Sequence, residues 1–175
     1  MSSAKAPEWR AATADDVPAI DRIANSIHTM HERLDVLAEK ISLFPHGCRV
    51  LVSDGAACGY ALAFPWRVAE VPPLDSFLGA IPNDADCIFI YDVAILPAAR
   101  CHGATGRFVA HASELADDRG LSWLALVSVY GTYPFWARRG FAVTPLPDTA
   151  AKLASYGDTA RYMVSVIGTR DDTAG

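Results

Sequence analysis

The stretch "AARCHGATGRF", residues 98–108, decides how this chain is interpreted. It follows an almost continuously apolar run, "CIFIYDVAIL" at 87–96, which predicts a central strand buried on both faces. Apolar residues then recur at helical spacing, so Gly103 and Gly106 lie in a strand-to-helix turn. Free N–H groups at a helix N-terminus bind anions such as phosphate, and Arg100 adds a positive charge. The spacing alone leaves two interpretations open, a phosphate-holding cofactor turn and a plain connection.

The sequence before this turn predicts a short strand, then two helices, then a pair of strands. Residues 9–12 predict a short first strand, and apolar residues at helical spacing predict two amphipathic helices, at 13–24 and 30–43. Strand periodicity follows, around a hairpin turn at 54–55. The segment 65–86 is rich in proline and acidic residues, and a loop this long often covers a functional site.

The sequence after the turn returns to strands. "LSWLALVSV" at 121–129 predicts a buried strand, and "PFWARRG" at 134–140 predicts a short helix with proline in its first turn. "FAV" at 141–143 and "ARYMVSVI" at 160–167 predict the last strands. Strands and helices therefore alternate through one mixed α/β domain.

The bulk composition restricts the function classes. The chain has 175 residues and a formal net charge of −5, with a pI near 5.4. Its length suits one domain, predicted over 9–167 with tails at 1–8 and 168–175. Nucleic-acid binding normally needs a basic surface, so we expect no nucleic-acid partner. Four scattered cysteines without a CxxC pair, and no apolar run near the roughly 20 residues that span a bilayer, predict a cytoplasmic protein without a membrane partner.

Two motifs together resemble the GNAT superfamily of N-acetyltransferases. Arg100-x-x-Gly103 is similar to the acyl-CoA signature of that family, which is arginine or glutamine, two residues, glycine, one residue, then glycine or alanine. "PFWARRGF" at 134–141 resembles the family's FYxxxGF element, and the order of predicted elements agrees over 9–167. The resemblance implies the GNAT fold, a twisted mixed β-sheet flanked by helices. The combination of Phe44-Pro45 before the hairpin, "FPW" at 64–66 and "PFW" at 134–136 is further similar to arylalkylamine and other small-amine acetyltransferases.

The resemblance also implies where acetyl-CoA binds. The backbone of residues 93–95 would pair with the pantetheine arm like an added strand, and the turn would hold the pyrophosphate. Thr105 departs from the signature, because it adds bulk where the family has glycine or alanine. The residues expected at the cosubstrate are Val93, Ala94, Ile95, Arg100, Cys101, His102, Gly103, Ala104, Thr105, Gly106, Phe135 and Trp136.

The proton donor of such a reaction is the least certain part of the resemblance. Family members pass the acetyl group directly to an amine in a ternary complex, and many use a tyrosine to protonate coenzyme A. Trp136 stands at that position here, and an indole cannot supply a labile proton as a phenol does. Tyr133 and Tyr130 are candidate donors, and each is alternatively an aromatic wall.

Tyr91 and Asp92 are the candidate catalytic residues of the central strand. Alternate side chains of a strand face opposite ways, so the sequence predicts that only one of them points into the cleft. Asp92 would accept a proton through water or hold the cationic amine. The alternative is a buried carboxylate that is hydrogen-bonded to backbone.

The acceptor side is predicted from apolar residues alone. Phe44, Trp66 and Phe77 are candidate walls for a small-molecule amine, and a homodimer is compatible with this prediction. We expect no metal, because the histidines and glutamate at 28–32 do not match HExxH. Two alternatives stay open, namely a non-catalytic acyl-CoA sensor of the same fold and an unrelated α/β domain whose turn at 98–108 is only structural.

Overall fold

The structure, a computed structural model that describes residues 5–146 and 150–168, is built on one seven-stranded mixed sheet. The strand order is β1-β2-β3-β4-β5-β7-β6, and every neighbouring pair is antiparallel except β4 and β5. The strands are β1 Glu8–Ala11, β2 Cys48–Ser53, β3 Ala56–Trp66, β4 Cys87–Ile95, β5 Trp123–Ser128, β6 Ala142–Val143 and β7 Arg161–Val166. The predicted mixed sheet is confirmed, while most of the predicted tails lies outside the described residues.

Five α-helices accompany the sheet in the described part of the chain: α1 Val17–Ile27, α2 Leu34–Leu43, α3 Ala104–Asp118, α4 Tyr133–Ala137 and α5 Ala150–Ala154. Helix α1 begins later than predicted, because residues 14–16 form a 3₁₀ turn instead. The Asp16 carboxylate accepts a hydrogen bond from the Thr13 backbone N–H at 2.8 Å and pairs with Arg10 at 2.6 Å. Side chains that bind Asp16 thus set the start of the helix.

The helices cover both faces of the sheet. Helices α1 and α2 pack over β3 and β4, and α3 packs against β4 and β5. Asp92 bonds to a residue at the end of α1, whereas Ile95 belongs to a small apolar cluster with Ala104 at the start of α3. Strand alternation explains this division, because residues of opposite parity face opposite sides.

The sheet opens between its two central strands. Only residues 87–90 of β4 pair with β5, and beyond them β4 pairs with β3 alone. A register shift accompanies the opening, because Leu62 pairs with Asp92 and the next residue, Ala63, pairs with Ile90. Tyr91 is therefore the extra residue of a β-bulge. The result is a cleft that begins at Tyr91 and widens along the rest of β4.

Two predicted connections are present as expected. Asp54 and Gly55 have φ values of 50° and 78°, the left-handed pair that a tight hairpin turn requires. The long loop, residues 67–86, contains neither helix nor strand. None of the helices in the described residues is long and apolar enough to cross a membrane.

Candidate active site

The exposed edge of β4 forms one wall of the cleft. Residues 93–95 pair with residues 59–61 of β3 on one side and with no described strand on the side of β5. Unpaired backbone groups at such an edge can bind an extended ligand as if it were another strand. The edge thus has the form that the sequence predicts for holding a pantetheine arm.

The turn after β4 is built by a glycine in the left-handed region. A 3₁₀ turn, Pro97–His102, leads to Gly103, whose φ is 65°, and α3 begins at Ala104. A Cβ atom on Gly106 would meet no atom within 4 Å, so the backbone there is open to close approach. The first N–H groups of α3 have no intrahelical acceptors, which makes this turn suitable for an anion.

Arg100 has a structural contact that its sequence position does not reveal. Its Nε donates to the carbonyl oxygen of Ile95 at 2.8 Å, which ties the turn to the end of β4. Around it, Cys101, His102 and Gly106 are exposed, Thr105 is half-buried and Ala104 is buried beneath the turn. Arg100 therefore holds the turn with the predicted pyrophosphate residues next to the β4 edge.

A chain of hydrogen-bonded side chains lies in the cleft; we call Tyr60, Asp92, His28 and Tyr130 the relay chain. The Nε2 atom of His28 is 3.0 Å from both carboxylate oxygens of Asp92, and its Nδ1 atom is 3.2 Å from the Tyr130 hydroxyl. The Tyr60 hydroxyl donates to Asp92 from β3. The His28 and Tyr130 rings are stacked with centroids 5.9 Å apart.

The relay chain can accept a proton. Burial lowers the pKa of His28, but hydrogen bonding to Asp92 and the charges of Asp92 and Glu32 outweigh burial, so the net pKa is raised. In neutral His28 the bonding pattern assigns the proton to Nε2, facing Asp92, and leaves Nδ1 to accept from Tyr130. Burial and the Asp92 charge raise the pKa of Tyr60 well above its usual value, so Tyr60 remains a donor to the carboxylate.

A second polar group lies next to the relay chain. The Tyr91 hydroxyl donates to Glu32 Oε2 at 2.7 Å, and the fully buried Lys40 lies 4.0 Å from the same oxygen. Lys40 also donates to the Ser76 carbonyl oxygen at 3.2 Å. Burial raises the pKa of Glu32 and lowers that of Lys40, and their mutual attraction opposes both shifts.

The bulge corrects the prediction for Tyr91 and Asp92. The sequence predicts that only one of them points into the cleft, yet Tyr91 bonds to Glu32 and Asp92 bonds to His28. Both partners lie in the connection between α1 and α2. The prediction is wrong because the extra residue at the bulge breaks the alternation of side chains. The same contacts hold residues 28–33 at the sheet, and α2 begins at Leu34 rather than at residue 30.

The structure separates the two candidate tyrosine donors. Tyr133 begins α4, is about half exposed and takes no part in the relay chain. Tyr130, three residues earlier, bonds to His28. Trp136 packs edge-on against Phe135 and Phe141, with centroids 5.2 and 5.7 Å apart, and so supports α4.

Two of the three predicted acceptor walls are core residues. Phe44 is 6% exposed and lies under the Arg119 guanidinium, and Trp66 is 8% exposed and packs against Phe64. The apolar character that suggested a pocket wall instead reflects burial in the core. Phe77 is 53% exposed, on the loop 67–86.

Sequence reasoning did not find His28 or Tyr60 as site residues. His28 was considered only as a metal ligand, and Tyr60 lies within an otherwise apolar strand. A hydroxyl in such a strand is the one available signal, because a buried phenol needs a partner. Within the described residues, no group of three or more His, Cys, Asp and Glu side chains is arranged to hold a metal ion.

An open pocket of about 370 Å³ lies away from this site. It shares no residue with the relay chain or the β4 edge, and its charged Arg49 is bonded to His111. Its lining residues are Glu8, Trp9, Arg49, Arg107, Phe108 and His111.

Comparison with known proteins agrees with this geometry. The sequence model described as the Acetyltransferase (GNAT) family matches residues 15–141, which confirms the resemblance drawn from the motifs. No curated protein matches the chain.

Three solved structures show the same fold at low identity. Ard1 from Thermoplasma volcanium is 16% identical with a TM-score of 0.72, covering 94% of this chain and 100% of that one. N-acetylglutamate synthase from Neisseria gonorrhoeae, complexed with coenzyme A and N-acetyl-glutamate, is 23% identical with a TM-score of 0.68, covering 96% of this chain but 37% of that one. The loading GNATL domain of CurA from Lyngbya majuscula is 14% identical with a TM-score of 0.72, covering 93% of this chain and 98% of that one.

Proposed function

The chain belongs to the Acetyltransferase (GNAT) family, and we propose that it is an acetyl-CoA-dependent N-acetyltransferase that acts on a small primary amine. The relay chain carries this proposal. It joins a candidate base, His28, to a candidate proton donor, Tyr130, beside the unpaired edge of β4. A domain that only binds coenzyme A has no need of such an arrangement.

The residues present fit acetyl-CoA. The edge at 93–95 offers backbone groups to the pantetheine arm, and the turn at 101–106 offers helix N–H groups to the pyrophosphate. The open backbone at Gly106 offsets the bulk that Thr105 adds. When bound, acetyl-CoA supplies an activated acetyl group as a thioester. N-acetylglutamate synthase, which has this fold, was crystallised with coenzyme A.

The relay chain accounts for the movement of protons. Transfer turns an ammonium ion and a thioester into an amide, a thiol and one released proton, so nitrogen loses two protons and sulfur gains one. Tyr130 takes a proton from the amine and passes its own to Nδ1 of His28. Asp92 holds the imidazole in the required tautomer and stabilises its charged form, and Tyr60 orients Asp92.

Tyr130 also replaces the tyrosine that is missing at position 136. Its hydroxyl donates a proton to the departing thiolate and recovers one from protonated His28. The second nitrogen proton then follows the same route through Tyr130 to neutral His28, which releases it to solvent. Trp136 is then free to serve as packing for α4. A sensor interpretation draws support from the absence of a tyrosine at position 136, and the hydroxyl of Tyr130 weakens that support.

The test is acetyl transfer with a matched pair of tyrosine variants. Thiol release from acetyl-CoA is followed over a panel of primary amines, and coenzyme A binding is measured by calorimetry. We expect turnover, with kcat lowered about 100-fold by Tyr130→Phe and little changed by Tyr133→Phe. A larger loss in Tyr133→Phe would assign the donor to Tyr133. Binding of coenzyme A without turnover of any amine would support the sensor, and no binding at millimolar concentration would exclude both functions.

A further inference from the structure

We infer that the acceptor is a small amine that carries no carboxylate, selected by the net charge of four side chains in the cleft: His28, Glu32, Lys40 and Asp92. This inference rests on the proposed function and names its substrate class. The two carboxylates and the ammonium lie within one interacting group, because the charge of Glu32 acts on both His28 and Lys40, and that of Asp92 acts on Glu32.

These four side chains carry one uncompensated negative charge while His28 is neutral, and the carboxylate of Glu39, whose charge also acts on Lys40, adds to it. Two carboxylates oppose one ammonium, and the sum is unchanged if a proton moves from Lys40 to Glu32. The group is largely buried, so this charge acts on a ligand with little screening. An acceptor that enters as an ammonium ion brings the summed charge of the four side chains and the ligand to zero. When that proton passes to His28, the total stays zero, so the site suits the amine before and after proton transfer.

An acceptor with its own carboxylate does not fit this balance. Such a zwitterion leaves the negative charge uncompensated and adds a carboxylate beside Glu32 and Asp92, which repel it. Residues 28–43 and 67–86 offer no free cation to offset this, because the three Lys and Arg side chains of these two segments are all paired. Lys40 lies by Glu32, Arg33 binds Asp75 at 3.3 Å, and Arg67 binds Glu70 and Asp84 at 3.1 and 2.8 Å.

One side of the loop 67–86 is fixed to the α1–α2 connection and α2. The Asp75 N–H donates to Glu32 at 3.2 Å, and the Arg33 N–H donates to the Asp75 carboxylate at 2.8 Å. Further along the loop, the Leu78 and Gly79 N–H groups both donate to Glu39 at 2.8 Å.

The other side of the loop is bonded to β7 and to the segment that precedes it, on the opposite side of the cleft. The Tyr156 hydroxyl donates to the Pro72 carbonyl, and the Ala69 N–H donates to the Tyr162 hydroxyl. Tyr156 is close enough to the charged group that Glu32 and Asp92 help burial to raise its pKa. The loop thus connects the α1–α2 side of the cleft with the β7 side and bounds the space for the acceptor. This arrangement favours a short acceptor over an extended polypeptide.

Exposed apolar side chains near the α1–α2 connection and on the loop 67–86 guide the choice of probes. Met30, Leu34 and Phe77 are each about half exposed, and the Arg33 guanidinium lies 5.2 Å from the Phe77 ring centroid. Three acceptors with the same aromatic body therefore test the inference: 2-phenylethylamine, L-phenylalanine, and a tripeptide amide that begins with phenylalanine.

We expect kcat/KM for 2-phenylethylamine to exceed that for L-phenylalanine and for the tripeptide amide by at least about tenfold each. Equal or faster acetylation of L-phenylalanine would overturn the charge argument, and equal acetylation of the tripeptide amide would overturn the size argument. Failure of all three while only amino acids or longer peptides are acetylated would refute the substrate class and leave acetyl transfer to amines standing. Failure of every amine would refute both.

A pair of isosteric variants separates charge from structure. Glu32→Gln removes the uncompensated charge but keeps an oxygen for Tyr91, so we expect KM for 2-phenylethylamine to rise about tenfold with KM for acetyl-CoA unchanged. The ratio of kcat/KM for 2-phenylethylamine to kcat/KM for L-phenylalanine should fall. Glu70→Gln removes the same charge from the loop 67–86, where the carboxylate binds Arg67, and should leave the ratio of kcat/KM for the two acceptors unchanged. Equal effects of the two variants would overturn the inference.

Discussion

The two walls of the cleft are built in different ways. The wall that we propose for the cosubstrate is backbone from one stretch of the chain, the edge at 93–95 and the turn at 101–106. The relay chain is made of side chains at positions 28, 60, 92 and 130, which come from four separate segments. A backbone site depends on conformation and tolerates many side chains. A side-chain site depends on identity, and each member acts through its neighbours.

The difference predicts different responses to mutation. A substitution in the turn should act on the affinity for acetyl-CoA and, through backbone strain, on stability. A substitution in the relay chain should act on kcat and on its pH dependence, with the affinity for acetyl-CoA unchanged. The following predictions test this division, from the largest expected effect to the smallest.

The largest effect is expected from His28→Gln. The amide can still bond to Asp92 but cannot accept a proton, so we expect kcat to fall about 100-fold or more near neutral pH. KM for acetyl-CoA should stay the same. The loss should shrink at high pH, where the amine is already deprotonated, and steady-state kinetics from pH 6 to roughly pH 10 measures both effects. A change confined to KM for acetyl-CoA would contradict the division.

A smaller effect is expected from Gly103→Ala, because φ at Gly103 is 65° and alanine in the left-handed region costs about 1–2 kcal/mol. If the strained turn relaxes, its N–H groups move, and we expect KM for acetyl-CoA to rise about tenfold with kcat little changed.

Gly120 provides the matched control for this turn. Its φ is 66°, and it follows α3 at the end remote from the turn. Gly120→Ala should lower the thermal midpoint of unfolding about as much as Gly103→Ala does, because the backbone strain is similar. It should not change KM for acetyl-CoA. Equal KM values in the two variants would show that the turn does not bind the cosubstrate.

The smallest effect is expected in the pH profile of Asp92→Asn. Asp92 is the main influence that raises the pKa of His28 against burial, so its neutralisation should lower that pKa. His28 must be neutral to accept a proton, and the acidic limb of kcat should therefore move to lower pH. A limb that stays in place, with only the plateau reduced, would show that a group other than His28 titrates there.

Several elements could be predicted because their signals are local. The hairpin at 54–55, the apolar β4 strand and the turn at Gly103 each depend on neighbouring residues. A candidate site could be predicted only where it coincides with such a segment, and the backbone at 93–106, where we propose that acetyl-CoA binds, is of this kind. Phe44 and Trp66 were misassigned because an apolar side chain gives the same pattern in a core and in a pocket wall.

The sequence by itself determined the mixed sheet, the apolar β4 strand and the glycine turn, since strand period, helix spacing and backbone freedom are properties of contiguous residues. Only the tertiary structure decided the relay chain. A bulge of one residue at Tyr91 turns Tyr91 and Asp92 to the same side, and the folding of α1 against β4 brings His28 to Asp92. Hydrogen bonds between residues so far apart in the chain leave no period or spacing in the sequence, because they depend on where the folded backbone places each side chain.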